Sequence, residues 1–248
     1  AVSSFWRFKH NVLHHFFTNL VGIDEDVSAE PLLRLHEQQV WRIIHRAQPY
    51  YCWFVYGLLY LVWILWNDFK KLFQGHIEGH KIPITKKDRW VFLFTKLFHF
   101  GFFWAVPILI FGWRAFAIGY GIYGFTVGVT TAVVFQLAHI VEKTSQPKEE
   151  VATKEEWVFH EFATTANFAT KNKLVGWFVG GLNFQIEHHL FPKISHVHYE
   201  ALSKEVKQVC KDFNVEYHEY PTCWSAIRSH FRKMVDLSKK PKDIVVQL

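Results

Sequence analysis

The feature that most constrains this chain is the gathering of its apolar residues into long runs, with the charged residues confined to blocks between them. Residues 47–67, which include YYCWFVYGLLYLVWILW, hold no acid, lysine or arginine; residues 90–113 offer only Lys96 and His99 as charges, and 115–141 only His139. A helix needs ~20 mainly apolar residues to cross the hydrocarbon core of a bilayer, so each run is long enough to span. The 25 phenylalanines and 11 tryptophans fit the same patterning. A formal charge of +6 does not point to nucleic acid, because the lysines and arginines flank the apolar runs and form no basic stripe among exposed aromatics. A membrane surface accounts for them.

Three long runs raise a question of parity, since the polar segments before and after them hold the two histidine clusters of the chain. An odd number of crossings would leave those clusters on opposite faces, so one run must not cross. The loop 67–89 holds six Lys/Arg against three acids, which places it on the cytosolic side, and the basic region 1–46 follows it there. The expected architecture is therefore an all-α integral membrane protein. Segment 47–67 is re-entrant or interfacial, while 90–113 and 115–141 form a transmembrane helical hairpin turning near Trp113-Arg114. A helical, histidine-rich cap faces the cytosol, with His139 at the inner mouth of the last helix. The run LVGWFVGGLNFQI, 174–186, is too short and glycine-rich to span and reads as a membrane-surface or re-entrant piece. No Ser/Gly/Pro-rich linker divides the chain, which predicts a single domain over 1–248. Cys52, Cys210 and Cys223 are odd in number and widely spaced, which fits a reducing compartment.

The histidines are not spread evenly. FKHNVLHHFFTN, 8–19, places three within six residues, and NFQIEHHLFP, 183–192, carries a further pair. On a helix His10 and His14 share a face, with His15 offset by one residue, so three imidazoles converge on a small volume. His188 and His189 add two, with Gln185 three and four residues before them on the same face. Imidazole ligates iron, copper and zinc, and five or six neutral histidines without a cysteine suit more than one cation of intermediate softness. Other templates fail. HEQQV (36–40) and HEFAT (160–164) both lack the second histidine of H-E-x-x-H, and there is no E-x-x-H pair of the carboxylate di-iron kind. His160, in WVFHEFATTANF, reads either as a support that hydrogen-bonds a ligand imidazole or as a surface histidine. His36, His45, His99, His218 and His230 are assigned to packing or solvent.

HNVLHH (10–15) followed by TN (18–19) and DED (24–26), then FQLAHIVE (135–142), then NFQIEHHLFP, together resemble the membrane fatty-acid desaturases, specifically the front-end group whose last histidine box is Q-x-x-H-H. The resemblance covers nearly the whole chain. It implies a centre of two non-haem iron ions on the cytosolic face, which uses O2 and two electrons to remove two hydrogens from an unactivated acyl chain. His10, His14 and His15 match the second box of the family and His188 and His189 the third, where Gln185 stands in the place of a first histidine. His139 matches the additional ligand that related desaturases supply at the end of the last helix. The implied partners are a fatty acyl substrate, as acyl-CoA or lipid-linked, membrane lipids, and a separate electron donor of cytochrome b5-like or ferredoxin-like kind.

One departure carries its own expectation. The first box of the family, H-x(3–4)-H, has no counterpart upstream of His10, and the chain opens on Ala1 with Met234 as its only methionine. The sequence is thus expected to be N-terminally incomplete, and this polypeptide alone to be inactive. HIEGH (76–80) has the spacing but lies after the second box. Competing readings are a hydroxylase or related oxygenase on the same scaffold, and a non-catalytic or haem-binding membrane protein. Lys70, Lys71, Lys86 and Lys87 read as positive-inside anchors or as contacts to a phosphate-bearing head group.

Overall fold

The computed structural model describes residues 2–148 and 154–241. The chain is mostly helical and divides into two compact units, Ala1–Leu13 with Trp53–Val133 and His14–Cys52 with Val134–Leu248. Two minimal strand pairs, which the apolar patterning does not announce, accompany the helices.

The first unit opens with α1, Ser3–Phe8, which passes into a π-helical stretch over Lys9–His14. Helix α2, Gln48–Val62, enters this unit at Trp53, widens into a π-turn over Trp63–Asn67 and continues as α3, Asp68–Gln74. The helix therefore runs past residue 67, where charged residues begin. Asp68 and Lys71 are buried rather than solvated. The physical reason is a partner 28 residues away: Lys96 Nζ lies 2.8 Å from Asp68 Oδ2 and donates to the Ile64 carbonyl at 2.6 Å. A π-turn displaces the regular i→i−4 ladder, and here the ammonium takes up a carbonyl within it. Gly75, left-handed at φ +72°, ends α3 and leads into the hairpin β1, His76–Ile77, and β2, His80–Lys81. His76 and His80 are exposed on that hairpin.

Helix α4, Lys86–Phe100, starts from a capping box in which Thr85 and Asp88 exchange side chain-to-backbone bonds. A π-turn over Gly101–Ala105 joins it to α5, Val106–His139. Gly112, at φ +77° and ψ 165°, breaks α5 in a conformation that suits glycine. The halves on either side fold back on each other. His99 and Tyr120 share a hydrogen bond of 2.9 Å, and the Trp104 ring lies 5.4 Å from Phe116 and 5.5 Å from Tyr120. Helix α2 packs antiparallel on the second half through small residues. A Cβ built on Gly128 would stand 2.4 Å from the Gly57 carbonyl oxygen, so the two backbones touch.

Among the described residues two helical stretches are long and apolar enough to cross a membrane, Ile43–Gln74 and Lys86–His139. At 1.5 Å per residue the 54 residues of the second would extend about 80 Å if straight, and the reversal at Gly112 divides that length. Its surface is apolar and open, with Leu109, Phe111, Trp113 and Ile118 exposed.

The second unit contains the remaining helices, α6 (Lys154–Thr164), α7 (Lys173–Phe178), α8 (Gln185–Leu190), α9 (Tyr199–Asp212) and α10 (Cys223–Ser238). Residues Tyr199, Ser203, Val206 and Cys210 form the buried stripe of α9 at helical spacing, and Val206 and Cys210 pack with Phe162 of α6 and Ile186 of α8. The parallel pair β3, Asn167–Phe168, and β4, Glu219–Tyr220, sets a platform beside α8. The long segment between His14 and α2 has little regular structure and is held by side chains instead. Arg34 donates to the carbonyls of Gln39 and Leu237, and Gln48 bridges the backbone of Arg34 and the Met234 carbonyl. Buried backbone groups in irregular segments need such partners.

Candidate metal centre

Three parts of the second unit deliver five imidazoles to one place. His14 and His15 come from the end of the π-helical stretch, His139 is the last residue of α5, and His188 and His189 lie in the last turn of α8. Ring centroids are 4.8 Å apart for His14 and His139, 5.0 Å for His14 and His189, 4.8 Å for His139 and His189, 4.3 Å for His15 and His189, and 4.7 Å for His15 and His188. The nitrogens of His14, His139 and His189 lie within 4.8 Å of one another, with all three residues buried. His10 lies four residues before His14 on the same π-helical stretch, in the first unit, with its ring stacked on Trp6 at 4.9 Å.

Local chemistry explains why these segments stop where they do. Asn19, in the left-handed region at φ +63°, donates its side-chain amide to the carbonyls of His139 and Ser145, while its backbone N–H reaches Asp24 Oδ2 at 2.9 Å. It thereby ties the end of α5 to the turn after His15. Helix α8 is seated by Asn167 of β3. The Asn167 Oδ1 accepts from the Ile186 N–H at 2.9 Å, and its Nδ2 donates to Glu187 at 2.8 Å, which also accepts from Tyr217 at 2.8 Å. Gln185, buried in the first turn of α8, donates to the Leu182 carbonyl at 2.8 Å and so shapes the turn that precedes it.

Behind the imidazoles stands a set of acceptors. His189 Nδ1 lies 2.7 Å from Glu161 Oε2, His14 Nδ1 3.0 Å from Asp24 Oδ2, His139 Nδ1 3.3 Å from the Thr164 carbonyl, and His188 Nδ1 3.2 Å from the Tyr199 hydroxyl. An imidazole that donates from Nδ1 presents Nε2 as its free ligand atom. Burial, reinforced by the neighbouring imidazoles, holds His189 well below the ordinary histidine range. Burial first, and then His14, brings His188 down to about 4. Both rings are thus neutral, the state a metal ligand requires. Burial pushes the Glu161 carboxyl well up, opposed by the Thr18 hydroxyl.

The residues fit a metal on an observation of their own. Nε2 of His189 is buried and has no hydrogen-bond partner among the described residues. Leaving such a group unsatisfied costs on the order of 1–3 kcal/mol, which a coordinated cation would remove. His160 is buried one residue before Glu161, with its Nε2 also unpartnered among the described residues. In sequence Glu161 belongs only to HEFAT, which fails as a zinc template; a lone acid inside the apolar stretch WVFHEFATT is the signal that points to it. Asp24 and Thr18 stand out in sequence only as members of DED and TN.

Comparison with known proteins places this arrangement. The chain is 37% identical over 96% of its length to "sn-1 linoleoyl-lipid 6-desaturase" of Synechocystis sp., covering 68% of that protein. It is 33% identical over its full length to the protein of the same name from Arthrospira platensis, again covering 68%. To "Acyl-lipid (8-3)-desaturase" of Physcomitrium patens it is 35% identical over 93% of its length, covering 49% of that chain. No solved structure matches. Residues 1–221 match the family described as "Fatty acid desaturase", and the chain belongs to that family.

Proposed function

We propose that this fatty-acid desaturase carries two non-haem irons on the histidine cluster and uses them to desaturate the acyl chain of a membrane lipid. The observation that carries the reading is the convergence of His14, His15, His139, His188 and His189 from three distant segments, with His14, His139, His188 and His189 each backed at Nδ1. His10, one turn earlier on the π-helical stretch, is assigned as a sixth ligand. When bound, the irons supply activation of O2, and the overall balance is one acyl CH2–CH2, O2, two electrons and two protons going to one CH=CH and two waters. The protein orients the imidazoles, keeps them unprotonated and excludes water from the surrounding apolar shell. Gln185 and His160 support the ligands without holding metal.

An acyl-lipid substrate is favoured by the relatives, whose names specify lipid-linked acyl chains. Electrons come from a separate carrier. For the membrane, the two halves of the Lys86–His139 stretch act as a transmembrane hairpin and the histidine cluster faces the cytosol, while the helix through 47–67 runs without reversal to Gln74. The hairpin 76–81, rich in neighbouring lysines, shares the cytosolic side.

The test is metal analysis and lipid analysis on the same variants, each expressed with an upstream segment that supplies H-x(3–4)-H. There His188→Ala should lower iron content and abolish O2-dependent desaturation, whereas His218→Ala should do neither. Full activity in His188→Ala, or a haem band in the absorption spectrum of the purified protein, would refute the assignment.

A further inference from the structure

We propose, resting on the acyl-lipid reading above, that the buried amide of Asn183, set beside Gly176 and ahead of His188, anchors the carbonyl that joins the acyl chain to its carrier. An acyl chain is apolar along its length, and its one fixed polar mark is the carbonyl at its head. An apolar site that orients the chain by this mark needs a buried hydrogen-bond donor that nothing else has taken.

The connection between α7 and α8 supplies one. Beyond α7 stand two glycines in the left-handed region, Gly180 at φ +61° and Gly181 at φ +77°, and the Gly181 N–H closes the helix end on the Gly176 carbonyl at 2.8 Å. This reversal carries the chain back along α7, so that Asn183 comes to lie beside Gly176. A Cβ built on Gly176 would stand 3.6 Å from Asn183 Oδ1 and meet no other atom within 4 Å beyond its own helix backbone and chain neighbours. The space over Gly176 is bounded by the amide and otherwise open. Two asparagines of this region have no exposed surface, and their amides differ. Asn167 is fully engaged, with Ile186, Glu187 and Tyr217. Asn183 engages only its backbone carbonyl, which accepts from the Phe168 N–H at 3.0 Å. Its Oδ1 and Nδ2 are both buried with no hydrogen-bond partner among the described residues.

An amide withdrawn from water at both atoms is costly until a ligand completes it, and packing alone does not account for it, since leucine has nearly the same shape without that cost. The Nδ2–H groups suit the carbonyl oxygen of an ester or thioester, and Oδ1 suits a hydroxyl or a water brought with the head group. The placement serves both ends of the substrate. Asn183 precedes His188 by five residues on the segment that becomes α8, so the anchored carbonyl and two of the imidazoles belong to one short piece of chain. On the other side α7 exposes Leu174, Trp177 and Phe178, an apolar approach for the acyl chain of a lipid. A carbonyl held at Asn183 fixes how far along the chain the histidine cluster lies, which is how one CH2–CH2 is selected among many alike.

The experiment measures binding of two fluorescent glycerolipids to the delipidated full chain in detergent, one with ester-linked chains and one whose ether links remove the carbonyls, so that neither iron nor turnover enters the readout. The wild type should bind the ester lipid roughly 3–10-fold more tightly. Asn183→Leu should bring the two lipids within about twofold of each other and, free of lipid, should melt no lower than the wild type, because it removes an unsatisfied amide. Gly176→Val, which fills the space beside the amide, should also erase the ester preference, and this keeps the proposal testable if Asn183→Leu fails to fold. Equal binding of the two lipids by the wild type, an ester preference retained in either variant, or a lower melting temperature of lipid-free Asn183→Leu overturns the proposal. An acyl-CoA probe separates the carriers: if it binds more tightly than the ester lipid and loses that affinity in Asn183→Leu, the anchor is supported and the acyl-lipid reading is overturned. A folded wild type that binds none of the three probes overturns that reading and the anchor with it.

Discussion

The Lys96–Asp68 pair offers the sharpest test of how the apolar helices tolerate charge. Both side chains are almost wholly buried, at 8% and 4% exposure, and 2.8 Å apart. Lys96→Met removes the cation that the Asp68 carboxylate and the Ile64 carbonyl share, while the Asp68 carboxylate keeps the Val2 N–H. Breaking a buried pair by removing one member costs about 3–5 kcal/mol, because the remaining charge is stranded. For a chain of this size that corresponds to a fall of about 6–20 °C in Tm at about 2–4 °C per kcal/mol. Asp68→Leu should cost about the same for the converse reason. The double variant removes both charges and leaves chiefly the Ile64 carbonyl, at about 1–3 kcal/mol. The double-mutant cycle should therefore show a coupling of at least about 2 kcal/mol. Thermal unfolding of the four proteins in one detergent, followed by circular dichroism, measures it. If the double variant loses the sum of the two single losses, the pair is not an interacting buried unit, and the account of how charges enter the helix beyond residue 67 is wrong.

Two further outcomes follow from the packing and from the proposed orientation. Gly128→Leu should separate α2 from α5, since even a Cβ there stands 2.4 Å from the Gly57 carbonyl oxygen; the purified protein should melt lower or aggregate, and wild-type melting would contradict the contact. In a background lacking Cys52, Cys210 and Cys223, single cysteines at His76 and Ser195 should both react with an impermeant thiol reagent applied from the cytosolic side; labelling from opposite sides would show that 90–113 and 115–141 do not cross as a hairpin.

The apolar runs and the histidine clusters are legible because each is local, one a matter of length and the other of spacing. The reversal of the long helix is expected near Trp113-Arg114, between the two apolar runs. The backbone puts it at Gly112, where the glycine carries the positive φ. Asp68 and Lys71 look like a helix end in sequence, since nothing nearby shows that Lys96 neutralises the acid. Glu161 was invisible for the same reason. A carboxylate earns no role from its neighbours in the chain, and its partner His189 lies 28 positions away. The β3–β4 pairing joins two residues from each side across a gap of 52 positions, too short in strand and too long in separation to leave a periodic trace.

The turn after His15 gives the centre a particular place in the life of the chain. Thr18 meets Glu161 across 143 positions and His189 across 171, so this corner is a clasp between the beginning and the end of the polypeptide. Contacts of such separation are the last to be rewarded, because the intervening chain must first be ordered. During synthesis His14 and His15 emerge before any of the long apolar runs, and His188 and His189 after all of them. The imidazoles that arrive first must wait, unpartnered by the later ones, until the helices between them have been placed in the bilayer.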